Sequence, residues 1–188
     1  MNFIYRISVL TIGIILTWIL PAFIFEERSQ NISIAQQQAT RLPRFNSPGL
    51  ERDPDDIPWS KAVMVVDPYE GSYPGVFDRN YWKIRAFGGE GTRQVTTLWT
   101  PEFVRVLITG SCEPAAMIKT FWIKIGEQVF QLEGDNNTFT ITDELAQALV
   151  DAPNRNVNIR LIVEGGETVN SLIGQKTVSA WDLIYSER

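Results

Sequence analysis

Histidine is absent from the 188 residues and cysteine occurs once. Without histidine the chain has no side chain whose ordinary titration falls near neutral pH, and it lacks the commonest transition-metal ligand. Ser-His-Asp and Cys-His catalytic sites and His-bound zinc centres are therefore excluded. The lone cysteine, Cys112, permits no disulfide within one chain. Its residue type favours a buried thiol, with an intermolecular link as the other reading. Clusters of Lys and Arg are also missing: the net charge is −5, and Arg6 is the only charged residue before Glu26, so the remainder is more acidic still. Such a surface disfavours nucleic acid and anionic lipid headgroups, which both need grouped basic side chains.

Recognisable catalytic and cofactor loops are lacking too. Gly89-Glu90-Gly91 has neither the third glycine nor the following helix of a dinucleotide loop, and Gly174-Gln175-Lys176-Thr177 lacks the spacing of a phosphate loop. No Gly-x-Ser-x-Gly or Ser-x-x-Lys nucleophile motif occurs. Asp53-Pro54-Asp55-Asp56 and Asp135-Asn136-Asn137 are acidic but lack the later Gly and Glu of an EF-hand loop, so they read as loop residues. No metal, cofactor or catalytic residue is expected. Asn31-Ile32-Ser33 and Asn136-Asn137-Thr138 match the N-glycosylation pattern, which matters only in a host that glycosylates exported proteins.

What the sequence does contain begins with an apolar start. Ile7–Phe25 carries no charge, and its length corresponds to about 28 Å of helix against a hydrocarbon core of about 30 Å. Arg6 precedes it and Glu26-Glu27-Arg28 follow, which places the amino end on the cytoplasmic side. Residues 1–25 are accordingly read as a transmembrane helix or signal segment. Pro21 shortens the apolar helix toward signal-peptide length, yet the best small-residue cleavage site, Ser33-Ile34-Ala35, lies beyond charged residues, which favours an uncleaved anchor. If cleaved, the protein is secreted; if not, its C-terminal part is tethered outside the cytoplasm.

Residues 26–58 turn polar, with Gln36-Gln37-Gln38, prolines at 43, 48, 54 and 58, and no apolar period of two or 3.6, so they read as a linker. From 59 to 188, short alternating runs recur between turn signals, as in strands. Val63–Val66 opens the series. Trp82, Ile84 and Ala86 alternate with Lys83 and Arg85 before a turn at Gly88–Gly91 and a return along Gln94–Trp99. Phe103–Thr109 follows, then Phe121–Ile125, reversed at Gly126-Glu127 by an expected type II′ turn into Val129–Glu133. Phe139 and Ile141 alternate with threonines, Val157–Val163 is the clearest strand, and Val169–Ile173 is its hairpin partner across Gly165-Gly166. Asp143–Ala152 is the one expected helix, capped by Thr142 and stopped by Pro153. Thr177–Tyr185 fits either a helix face or a closing strand, and the strand is expected. The fold class predicted is α+β and mainly β: an antiparallel sandwich or barrel with one packed helix, preceded by the membrane segment.

The functional candidate is Asp67–Trp82, read as a long loop rich in Gly and Pro. It carries Tyr69, Tyr73, Phe77, Tyr81 and Trp82, and exposed aromatics offer rigid contact area to a protein or a sugar face. The competing reading places Phe77 and Trp82 in the core. Asp67, Glu70 and Asp78 share the segment and raise the idea of a carboxylate pair. The leading expectation is a membrane-tethered extracytoplasmic interaction module without catalytic activity, whose partner is an envelope or membrane protein. The alternative is a glycan-binding domain or a carboxylate-dependent hydrolase of envelope polysaccharide.

Overall fold

Period-two burial runs through β2 (Ala62–Asp67), β5 (Phe103–Gly110), β10 (Val157–Val163) and β11 (Thr168–Ile173), as expected of strands with one face on a core. The computed structural model describes residues 42–46, 56–86, 89–110 and 115–186. The apolar segment 7–25 and Cys112 lie outside the described residues, as do Asn31 and most of the stretch read as a linker. Among the described residues no helix is long and apolar enough to cross a membrane.

Two sheets form. The larger runs β1-β2-β3-β4-β5-β9-β8, with β1 at Arg44–Asn46, β3 at Gly71–Ala86, β4 at Gly89–Trp99, β8 at Gly134–Asp135 and β9 at Thr138–Thr140. Among the described strands β1 and β2 pair in parallel, which draws three residues of the 26–58 stretch into the sheet and sets Phe45 edge-on against Phe77. The smaller runs β11-β10-β6-β7, with β6 at Ile118–Ile125 and β7 at Gln128–Leu132. The described residues are thus mainly β, with mixed and antiparallel sheets and two helices, α1 (Asp143–Val150) and α2 (Gln175–Tyr185).

One apolar cluster joins the sheets. Val76, Val95, Trp99, Val104 and Val106 of the larger sheet meet Phe121, Ile123, Leu161 and Val169 of the smaller, with Leu145 and Leu149 of α1 and Trp181 of α2. At its centre Trp99 lies 5.0 Å from Trp181 and 5.9 Å from Phe121, and Phe121 lies 5.5 Å from Phe139, between ring centroids. The opposite face of the larger sheet carries a second, smaller cluster of Ile57, Val63, Val65, Phe77 and Leu98. That sheet is therefore apolar on both faces along β2 to β4, which is why Val76 and Phe77, consecutive and pointing opposite ways, are both fully buried.

Local chemistry explains the joints. Between Ile125 and Gln128, Gly126 takes φ +58 while Glu127 does not enter positive φ, the pattern of the expected II′ turn. Thr142 caps α1 by accepting the Leu145 N–H at 3.2 Å. Gly134 is required by close approach: a Cβ there would lie 2.1 Å from the Thr138 carbonyl oxygen.

Three expectations need correction. Thr177–Tyr185 is helical, because Val178, Trp181 and Tyr185 recur at helical spacing and all face the core, so among the described residues two helices stand downstream of residue 59 where one was expected. The Gly88–Gly91 turn is shorter than its glycines suggest: β3 and β4 are already paired at Ala86 and Gly89, and Gly91 sits opposite Ile84 within the ladder. Finally, the Gly- and Pro-containing segment Asp67–Trp82 is the end of β2, a three-residue turn (68–70) and then strand, Pro74 being accommodated in β3 opposite Met64.

Candidate functional site

The tip of the β2–β3 hairpin is built from Asp67 upward. Its Oδ1 accepts the backbone N–H of Tyr69 at 2.7 Å and of Glu70 at 2.9 Å. These two bonds hold the Asp67 carboxyl below the usual carboxylate range, since they favour the charged form, and the Arg105 guanidinium adds to the effect. The turn so fixed projects Tyr69, which is 95% exposed.

Glu70 then links the tip to the sheet surface. Its Oε1 accepts from Arg105 Nη2 at 2.9 Å and its Oε2 from the Tyr73 hydroxyl at 3.2 Å. Tyr73 packs edge-on against Phe103 at 5.7 Å, and the Arg105 guanidinium lies 5.0 Å from the centre of the Phe103 ring. Burial of the phenol, reinforced by the neighbouring Glu70 carboxylate, pushes the Tyr73 pKa up to about 12, so the hydroxyl stays a donor throughout the physiological range. Arg105 Nε also donates to Thr138 Oγ1 at 3.3 Å. The result is a surface ridge of Tyr73, Phe103 and Arg105 beside the Tyr69 turn, with both carboxylates, Asp67 and Glu70, already engaged.

The five aromatic candidates do not form one patch. Tyr73 belongs to the ridge and Tyr69 to the turn beside it, whereas Phe77 is fully buried in the smaller cluster. Tyr81 is 66% exposed but lies eight residues beyond Tyr73 on β3, or about 26 Å along the strand at roughly 3.3 Å per residue. Trp82 is paired with Arg93 in the β3–β4 ladder, and its side chain is outside what is described.

Nor do the three carboxylates converge. Asp78 shares the face of Val76, between the sheets, and is 3% exposed. Its Oδ1 accepts from the Thr177 hydroxyl at 2.5 Å and from the Gly174 N–H at 3.2 Å. Thr177 Oγ1 also lies 3.0 Å from the Ser60 hydroxyl, and Ser60 takes φ +57 while its N–H donates to the Phe77 carbonyl at 2.7 Å. Asn80, next on this face, donates to the Ser171 hydroxyl at 3.2 Å. Burial drives the Asp78 pKa up against the opposing hydrogen bonds of Thr177 and Gly174. Gly174 has no side chain with which to cap α2, and its opening N–H groups find acceptors elsewhere: that of Gly174 in Asp78 Oδ1 from a distant strand, and that of Gln175 in Asn156 Oδ1 at 2.9 Å. Asp78 is thus a tertiary helix cap, separated from Glu70 by the thickness of the sheet.

No family model, curated protein or solved structure matches this chain. Its function is therefore read from its own geometry.

Two further features bear on that reading. Among the described residues, no group of three or more His, Cys, Asp or Glu side chains is arranged to hold a metal ion. The outer face of the smaller sheet carries a cross-strand row, Asn170, Arg160, Trp122 and Gln131. In it Arg160 Nε donates to Asn170 Oδ1 at 2.9 Å, and the guanidinium lies 5.9 Å from the Trp122 ring centre. Sequence reasoning missed Phe103, Arg105 and this row. The signal for each was only a residue every second position; the partners come together through strand register, which alternation does not encode.

Proposed function

We propose that this chain is a non-catalytic interaction module, tethered to a membrane through residues 7–25 with its β-rich, sandwich-like domain outside the cytoplasm, and that it contacts an envelope or membrane protein through the β2–β3 tip. The observation that carries this reading is the construction of that tip. A large aromatic, Tyr69, is almost wholly exposed on a turn made rigid by Asp67, beside a ridge in which Glu70, Tyr73, Phe103 and Arg105 are locked together. Tyr and Arg are the residues that most often dominate protein contacts, and a pre-ordered turn reduces the entropy lost on docking. Tyr69→Ala is expected to weaken capture of the partner by the full-length protein at least about tenfold, as loss of a hot-spot aromatic does. Its thermal unfolding should be unchanged. Quantitative co-purification of crosslinked wild-type and variant protein from membranes checks this, and equal recovery of the partner would remove the tip from the interface.

A second reading is glycan binding, supported by the row Asn170–Arg160–Trp122–Gln131, which sets an aromatic ring among amide and guanidinium hydrogen-bonding groups on an open sheet face. On this reading Trp122→Ala abolishes retention on an immobilised envelope polysaccharide while Tyr69→Ala leaves it intact. Affinity electrophoresis distinguishes the two, and retention of both variants would discard it. The carboxylate-dependent hydrolase finds no support in Asp78, which is committed to α2.

A further inference from the structure

A sheet edge is a row of backbone donors and acceptors that proteins ordinarily shorten, cover or charge. Four edges end the two sheets. β1 and β8 are only three and two residues long. β11, six residues long, touches β3 through the Asn80–Ser171 hydrogen bond, made by side chains that face between the sheets, and continues directly into α2. β7, five residues long, is the other extended edge onto which no described strand is paired from outside.

The register of β7 specifies which groups it presents. Ile125 and Gln128 close a two-residue turn and so exchange hydrogen bonds, as do the alternate pairs Ile123–Phe130 and Phe121–Leu132. The N–H and C=O groups of Val129 and Gln131 consequently point away from β6. Val129 is 62% exposed, and no lysine, proline or bulge guards the strand. Acids flank it: Glu133, and Glu127, whose side chain is 97% exposed and whose carboxylate lies 3.6 Å from the ammonium of Lys124, the residue opposite Val129. At its Gln128 end a groove of about 490 Å³ runs between the β6–β7 turn and α1, lined by Ile125, Gln128, Ala148 and Pro153 together with Glu144 and Asp151.

We infer that the β7 edge is a docking site for an extended peptide segment with basic residues at both ends, which adds to the smaller sheet as an antiparallel fifth strand. Such a strand bonds through the outward groups of Val129 and Gln131. With its central residue opposite Phe130, the residues three places before and after lie opposite Glu133 and Glu127. Lysine or arginine opposite Glu133 is therefore matched, one opposite Glu127 shares that carboxylate with Lys124, and acidic residues at both places are repelled. Apolar residues at the centre and two places to either side share the face of Phe130 and Leu132. This surface is built from elements other than the Tyr69 tip, and the inference stands or falls independently of it.

The probe is the labelled peptide acetyl-Lys-Val-Thr-Val-Thr-Val-Lys-amide, titrated by fluorescence anisotropy against the full-length protein in detergent micelles. Hydrogen exchange by mass spectrometry on the same samples locates the contact. Saturable binding is expected, with slowed exchange confined to residues 128–132. Val129→Pro removes one outward donor without touching a β6 hydrogen bond, and is expected to weaken binding about tenfold. The double variant E127K/E133K is expected to reverse the preference, releasing the Lys-flanked peptide and accepting its Glu-flanked counterpart. Equal binding of the two peptides to the wild-type protein, protection outside β7, or no binding overturns the proposal. A dimer in sedimentation velocity that Val129→Pro dissolves would overturn it in favour of a second copy of this chain.

Discussion

Trp181→Ala is expected to destabilise the domain by about 4 kcal/mol, the usual cost of emptying a large aromatic site in a core. Trp181 is fully buried in α2 and packs at a tilt against Trp99, which in turn meets Phe121, so its removal opens a cavity where the two sheets and the helix converge. Leu183, two residues along, is 49% exposed, and Leu183→Ala is expected to cost less than about 0.5 kcal/mol. Val178, one helical turn before Trp181, is buried, and Val178→Ala should cost about 2 kcal/mol, between the values for one methyl group and for a whole aliphatic side chain. Urea unfolding followed by tryptophan-independent circular dichroism checks all three. The contrast between positions 181 and 183 carries the test, because a strand puts residues two apart on one face and a helix does not. Equal costs would return this segment to the strand that alternation alone suggests.

The second large effect concerns Asp78. Asp78→Leu leaves the Gly174 N–H and the Thr177 hydroxyl without their carboxylate acceptor in a buried setting, and is expected to cost about 3 kcal/mol. Asp78→Asn keeps an acceptor oxygen and removes the buried charge, so its effect depends on pH. Burial raises the folded-state pKa of Asp78 above its ordinary value of 3.8. Below that value the carboxyl is protonated in both folded and unfolded chains, and its contribution is fully present. As pH climbs through the raised folded value, that contribution is lost, because the unfolded chain ionises more easily. The stability of wild type minus Asp78→Asn should therefore fall with rising pH, starting near pH 3.8, and level off once the folded carboxyl has ionised. Asp67 and Glu167 act in the opposite sense. The Tyr69 and Glu70 N–H groups lower the first, and the Arg93 guanidinium lowers the second, so their contributions are present at neutral pH and lost on acidification. Taking the difference between the two proteins cancels those terms. A flat difference curve between pH 3 and 7 would mean that Asp78 is not the desolvated group described.

The legible and illegible parts of this sequence divide on physical grounds. Strands such as Val157–Val163 and Phe103–Gly110 were plain because each has one face on the core and one toward solvent, and the turn at Gly126 was plain because two-residue hairpins need positive φ at a defined place. The α1 helix announced itself through Thr142 and Pro153. By contrast, β3 was obscured because Val76 and Phe77 are both buried on opposite faces, erasing alternation, and because Gly75 and Pro74 read as loop punctuation. Gly75 is in fact where the chain packs tightly: a Cβ there would meet Leu98 and Val65 side chains at 3.1 Å. The α2 helix was hidden by the absence of a local cap, since the acceptors for its first N–H groups come from Asn156 and, nearly a hundred residues earlier, from Asp78. The ridge was half visible. Tyr69 and Tyr73 stood out as aromatics, but Phe103 and Arg105 reach them only through the lateral order of the strands. The grouping of Tyr81 and Trp82 with Tyr69 treated sequence proximity as spatial proximity, which holds in a compact loop and fails along an extended strand.

The claim on which the functional account depends is that the Tyr69 tip faces a partner beyond the membrane. A photoreactive amino acid placed at position 69 of the full-length chain, irradiated in the host's own membranes, tests it most directly. The account predicts a discrete protein adduct in the membrane fraction that is degraded by protease added from the extracytoplasmic side, and a far weaker adduct when the same group is placed at Leu183. A chain found in the soluble cytoplasmic fraction, or an adduct no stronger at 69 than at 183, would contradict it.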